Sequence, residues 1–172
     1  MSKERLQLFY KIISTSMCPT LNVGDIVIMG SKSPENIKAC EQDGDILILR
    51  GPQYFYANGV DPIMWNNLAI DTPIIHRAID KKKIKDKWYF KTKGDNSWAP
   101  DGCFKIKEKE TDYITAEFNE SEIIYVPESE VLGVVMKRIP INETNYQLSK
   151  SPDFLLDIDM FERMEVKVFL KK

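Results

Sequence analysis

The chain has 172 residues, 43% hydrophobic, 29% charged and 10% aromatic, ordinary values for one folded domain and wrong ones for a disordered or fibrous chain. Lys and Arg number 24 against 26 Asp and Glu, a formal net charge of -2, so there is no global field to attract DNA or RNA and neither is an expected partner. Cys18, Cys40 and Cys103 lack CxxC spacing and stand beside a single histidine, which excludes an obvious zinc site; no metal or other cofactor is expected.

The expected elements, in chain order, begin with a helix from about Lys3 to Ile13. Its Lys3, Arg5, Gln7 and Lys11 make it too polar and short for a secretory signal, and no stretch of the chain nears the roughly 18 apolar residues of a membrane span. Short, β-branched apolar runs bounded by Gly, Pro, Asn or Asp then predict strands at Asp25 to Gly30, Asp45 to Arg50, Ile74 to Asp80, Lys87 to Lys93, Tyr113 to Phe118, Glu122 to Val126, Val131 to Ile139 and Arg163 to Leu170. Between the second and third runs lies Gly51 to Pro73, a long connection carrying Tyr54, Phe55, Tyr56, Trp65 and the turn signal Asn58-Gly59. Its rings either close the loop on itself, the reading preferred, or meet a membrane surface, a partner or a substrate. Lys81 to Lys87 is expected as a solvated hairpin turn. In the strand at Lys87 to Lys93, Trp88, Phe90 and Thr92 alternate with Tyr89, Lys91 and Lys93, which predicts one buried face. A second helix is expected from Pro152 to Glu162, capped by Ser151 with Asp153 at its positive end. The chain is therefore expected to be mainly β, with one or two short helices.

Chemistry concentrates in three segments. In Ser14-Thr15-Ser16-Met17-Cys18-Pro19-Thr20-Leu21, running into Val23-Gly24-Asp25-Ile26, two hydroxyls, a core-type Met and a Pro make a rigid bend before a strand, a bend able to hold a nucleophile still. Pro73-Ile74-Ile75-His76-Arg77-Ala78 puts the only histidine on an apolar strand, where by itself it suits a structural role. Lys93-Gly94-Asp95-Asn96-Ser97, with Asp101 beyond it, is by itself a turn.

Together these residues resemble the type I signal peptidases, whose nucleophile lies in a Ser-Gly-Ser-Met-x-Pro-Thr motif running into Gly-Asp before a strand. His76-Arg77 is similar to the endoplasmic-reticulum and archaeal branch, where the common bacterial branch has Lys. The third segment resembles the family's Lys-Gly-Asp-Asn…Asp box, and Val126-Pro127-Glu128…Val131-Leu132-Gly133-Val134-Val135 looks like its closing strand. The resemblance covers roughly residues 8 to 140, implying a mostly antiparallel β catalytic core in a domain at 1–140 and a C-terminal extension at 141–172 that matches nothing.

It implies a serine endopeptidase with Ser16 as nucleophile and His76 as general base, an imidazole being a competent base near neutrality. Either Asp95 or Asp101 could orient the imidazole; Asp101 is assigned that part, and Asp95 a structural or oxyanion-side role. The hydroxyl of Ser14 and the backbone N–H of Ser16 are the implied oxyanion donors. Thr15 stands where the family has Gly, so an oxyanion loop that needs a glycine angle would be strained here. The implied substrates are signal peptides of secreted precursors, bound as an added strand and cut after small residues. Family members carry an apolar anchor before the serine box, where this sequence has only residues 1–13. The protein is expected on the extracytoplasmic side of a membrane if an anchor was removed, and otherwise to be a soluble relative that matures another peptide. Rivals are a self-cleaving repressor-type peptidase with a Lys base and a catalytically silent peptide-binding β domain. Ser16 and His76 are 60 positions apart, and the length beyond a minimal core falls in the Gly51 to Pro73 connection.

Overall fold

Apolar β-branched runs at Ile26–Gly30 (β2), Ile46–Leu49 (β3), Ile74–Ile84 (β4) and Val131–Ile139 (β9) form the spine of the computed structural model, which describes residues 8–109, 114–118 and 123–140. With Phe9–Lys11 (β1), Lys87–Lys93 (β5) and Val126–Pro127 (β8) they build one curled seven-stranded sheet in the order β1-β2-β9-β3-β4-β5-β8, every neighbouring pair antiparallel. Phe104–Lys109 (β6) and Ile114–Phe118 (β7) form a separate two-stranded hairpin. The fold is mainly β, as expected from the sequence.

The central strands bury both faces. Along β3, Leu47 and Leu49 enter one apolar cluster and Ile48 the other; along β4, Ile74 and Ala78 enter the first and Ile75 the second. This is the two-residue alternation of a strand covered on both sides. The first cluster is filled by the long connection after β3. That segment folds into a short helix, Gln53–Ala57 (α1), and a 3-10 turn, Pro62–Trp65, whose start is capped by Asp61 accepting from the Ile63 N–H at 3.0 Å. Phe55 and Trp65 pack with their rings tilted at 52° and centroids 4.6 Å apart, and Tyr56 meets the Trp65 ring edge-on. The rings therefore close the loop onto the sheet, each buried side chain of this size contributing about 1.5–3 kcal/mol. The second cluster gathers Tyr10, Ile12, Met17 and Leu21 over Val27, Ile48 and Ile75, so the serine segment is the cover of that face.

Three expectations need correction. Residues 9–11 are a strand and not part of a helix from Lys3 to Ile13: Phe9, Tyr10 and Lys11 pair with Ile28, Val27 and Ile26, and that ladder outweighs a helical pattern too short to stand alone. Of the run expected at Glu122 to Val126, residue 122 lies outside the described residues, and among residues 123–126 only Val126 is strand, where Val126–Pro127 pairs with Phe90 and Tyr89. The lysine-rich stretch is mostly ladder, since β4 runs on to Ile84 and the turn is just Lys85 and Asp86. Strand β6, at Phe104–Lys109, was not expected. The second helix at Pro152 to Glu162, the strand at Arg163 to Leu170 and the whole 141–172 extension lie outside the described residues. Among the described residues no helix is long and apolar enough to cross a membrane.

Candidate active site

Met17 organises the first segment. It is fully buried in the second cluster, and around it the chain turns tightly, with Cys18 N–H donating to Thr15 O (3.0 Å) and Leu21 N–H to Met17 O (2.9 Å). The turn is locked to the sheet by Asp25, whose side chain is wholly buried, accepts from Asn22 N–H at 2.7 Å and pairs with Arg138 of β9 at 2.6 Å. Gly24 supplies the positive φ of 95° that lets the chain enter β2 there. Ser16 is left half-buried at the rim, its hydroxyl 3.1 Å from that of Ser14, while its N–H points at Ser14 Oγ from 3.4 Å. The Ser14 hydroxyl and the Ser16 amide thus lie side by side, the amide donating to the hydroxyl. Thr15 is exposed and is not among the residues with positive φ, so its β-branched side chain is accommodated without the strain expected of it.

The second and third segments meet the first through strand alternation. His76 and Arg77 are consecutive in β4 and point to opposite faces. Arg77 takes Asp95 in a two-pronged pair (Nε to Oδ1 2.8 Å, Nη2 to Oδ2 2.6 Å) and donates through Nη1 to Gly44 O at 2.6 Å. Thr20 from the serine turn donates to the same Asp95 at 2.5 Å. Burial is the strongest single influence on Asp95 and opposes its charge, but the hydrogen bonds from Arg77 and Thr20 with the Arg77 charge outweigh it, holding the carboxyl below its ordinary range. Asn96 completes the clamp, its N–H donating to Ser16 O (2.8 Å) and its Nδ2 to Thr15 O (3.1 Å). Asp95 is therefore the tie between the serine turn and β4.

His76 is 4% exposed and its Nδ1 lies 2.7 Å from Oδ2 of Asp101, itself 9% exposed. A carboxylate only accepts, so Nδ1 carries the ring proton and Nε2 of the neutral imidazole keeps a free lone pair. Nε2 is buried and has no hydrogen-bond partner among the described residues. Gly94 separates it from the serine turn: a Cβ there would stand 3.1 Å from His76 Nε2 and 2.6 Å from Ser16 O. The structure thus brings Ser14, Ser16, His76 and Asp101 into one neighbourhood, with Asp95 one step removed on Arg77. The Ser16 hydroxyl bonds to Ser14 and not to His76.

A cleft of about 20 Å³ opens at the two serines, lined by Lys11, Ile12, Ile13, Met17, Pro73 and Ile75. Room of that size takes roughly one water-sized group. A larger cavity of about 50 Å³ lies beside Asp101, walled on its other side by Val60, Met64 and Trp65 of the 51–73 connection. Among the described residues no three His, Cys, Asp or Glu side chains converge as a metal site. Sequence reasoning missed Thr20, Thr92 and Asn96 as parts of this assembly. Thr20 and Asn96 sat inside the singled-out segments, but nothing local indicates which distant group they bind. Compared with protein-family models the chain matches none, and no curated protein matches it.

Proposed function

We propose that this protein is a serine endopeptidase that cuts extended peptides after small residues, with Ser16 as nucleophile, His76 as general base and Asp101 orienting the imidazole. The observation that carries the proposal is the 2.7 Å bond from His76 Nδ1 to Asp101, because it commits the ring proton to Nδ1 and leaves Nε2 a base aimed at buried space beside the serine turn. Ser16 Oγ leaves Ser14, passes its proton to Nε2 and attacks the peptide carbonyl. Catalytic hydrogen bonds in unliganded enzymes are commonly unformed and tighten when substrate binds. The charge that develops on the carbonyl oxygen is met by the Ser14 hydroxyl and the Ser16 N–H, neighbours whose mutual 3.4 Å hydrogen bond opens as both turn to the oxygen. The tetrahedral intermediate collapses with cleavage of the C–N bond as the imidazolium gives its Nε2 proton to the leaving amine, and the acyl-enzyme is then hydrolysed by water activated at the same imidazole.

The cleft at the serines supports specificity for an alanine-sized residue, since its walls of Ile12, Ile75 and Met17 leave room for little more. Resemblance to the His-type signal peptidases makes signal peptides or similar leader segments the proposed substrates, which implies work at the extracytoplasmic side of a membrane. The test is incubation of the full chain with a peptide carrying an Ala-x-Ala site in detergent or lipid. Wild type is expected to cleave after the second Ala, and Ser16→Ala or His76→Ala to lower kcat by about 10³-fold or more. Cleavage that survives both substitutions sinks the mechanism. No cleavage by any form points instead to a peptide-binding domain.

A further inference from the structure

Asp101 receives two side-chain hydrogen bonds on a single oxygen. His76 Nδ1 and Thr92 Oγ1 each lie 2.7 Å from Asp101 Oδ2. Thr92 belongs to β5, where it pairs with Ala78 of β4, two residues beyond His76 and hence on the same face. Adjacent strands therefore project the imidazole and the hydroxyl side by side, toward a carboxylate carried in by the 94–101 loop. The Asp101 N–H donates back to Thr92 O at 2.8 Å, anchoring the loop at this residue. Thr92 is 1% exposed, so its hydroxyl has no bulk water as an alternative partner. Its β-branched side chain is restricted about χ1, and the hydroxyl stays where the strand puts it.

We propose that Thr92 is a positioning residue for the His76–Asp101 pair. Its hydroxyl fixes the rotation of the Asp101 carboxylate so that Oδ2 faces the imidazole, and this keeps the ring proton on Nδ1 and the lone pair on Nε2. Without it, Oδ2 has one side-chain donor in place of two and the carboxylate is free to turn toward the cavity that Asp101 shares with Trp65 and Met64. The catalytic consequence rests on the peptidase reading above; the tautomer consequence does not.

The chain has one histidine, which makes its ring nitrogens an unambiguous probe. Two-bond proton–nitrogen correlation spectra of the ¹⁵N-labelled full chain, recorded on the alkaline side of the imidazole titration, report the two neutral tautomers directly. Wild type is expected to hold the proton on Nδ1. In Thr92→Val the ratio of Nε2–H to Nδ1–H is expected to rise about fivefold, the factor one ordinary hydrogen bond carries, with Thr92→Ser restoring most of the wild-type ratio. Where Thr92→Val does not fold, Thr92→Cys keeps the volume with a far weaker donor and is read the same way. In the peptide assay, kcat of the folded variant is expected to drop about fivefold with KM unchanged, as for a group that orients the base without touching substrate. An unchanged tautomer ratio, or a wild-type ring protonated on Nε2, overturns the proposal. A shifted ratio in a protein that cleaves nothing upholds the role of Thr92 and removes the peptidase reading.

Discussion

Gly94 stands between the serine turn and the imidazole with no room for a side chain. A methyl group there would press on a backbone oxygen, Ser16 O, at 2.6 Å, and on His76 Nε2 at 3.1 Å, so the loop or the turn must move. Gly94→Ala is expected to cost about 1–3 kcal/mol in urea denaturation and to reduce peptide cleavage by more than the stability loss explains, because the displacement falls on the proposed nucleophile and base. An alanine variant that cleaves at the wild-type rate would contradict this. Asp95 sets a different dependence. Its carboxyl titrates below the ordinary range in the folded protein, so its stabilising contribution is complete above the unfolded value of about 3.9 and is lost as pH drops through the lower folded value. Melting temperature should decline from about pH 4 downward. Asp95→Asn is expected to lose about 1–3 kcal/mol at neutral pH, less than a fully dry pair since the two side chains keep 11% and 14% exposure, and to show a shallower acid slope. Equal slopes for both proteins would remove Asp95 from the explanation.

At the scale of elements, the β4–β5 hairpin carries a cost unconnected to the site. Lys85 and Asp86 form its two-residue turn with φ of 45° and 65°, the left-handed pair that matches the twist of the flanking strands but that non-glycine residues resist by roughly 1–2 kcal/mol each. Lys85→Asn with Asp86→Gly is expected to raise the melting temperature by about 2–4 °C and to leave peptide cleavage unchanged. Calorimetry of the double variant checks it. The 51–73 connection acts on the site from the other side. Its Phe55, Met64 and Trp65 belong to the first core cluster, and Trp65 borders the cavity at Asp101, so the connection that closes on the sheet also shares a wall with the carboxylate bonded to His76.

For the whole molecule, the cysteines report cooperativity. All three are free, Cys18 and Cys40 partly exposed and Cys103 only 1% exposed, and burial pushes the Cys103 thiol up to about 11. A thiol reagent at pH 8 is expected to modify two groups quickly in the native protein and the third only at the rate of unfolding. Three fast thiols would show that the Cys103 region opens separately. The sheet order explains why opening should be global: β9, the last sheet strand among the described residues, lies between β2 and β3, so the serine turn and the histidine strand are held together through a segment distant from both in sequence.

The residue types of the site were legible in the sequence because chemistry constrains them locally: a serine in a rigid bend, one histidine in an apolar strand, aspartates in a Gly-Asp-Asn turn. Strands β2, β3, β5 and β9 were legible too, since short β-branched runs between turn residues have few other uses. The pairing of acids with bases was not. His76 and Arg77 are neighbours in sequence but face opposite sides of β4, so Asp101 goes to one and Asp95 to the other. Thr92 joins only because β5 lies beside β4 in one register, with Ala78 opposite it. β1 is not legible as a strand because three residues hold no period of their own, and only their pairing with β2 decides them. The sequence by itself determined which groups could do chemistry here. The tertiary structure decided which of them meet, because strand alternation and register, set by long-range pairing, choose the partner of each side chain.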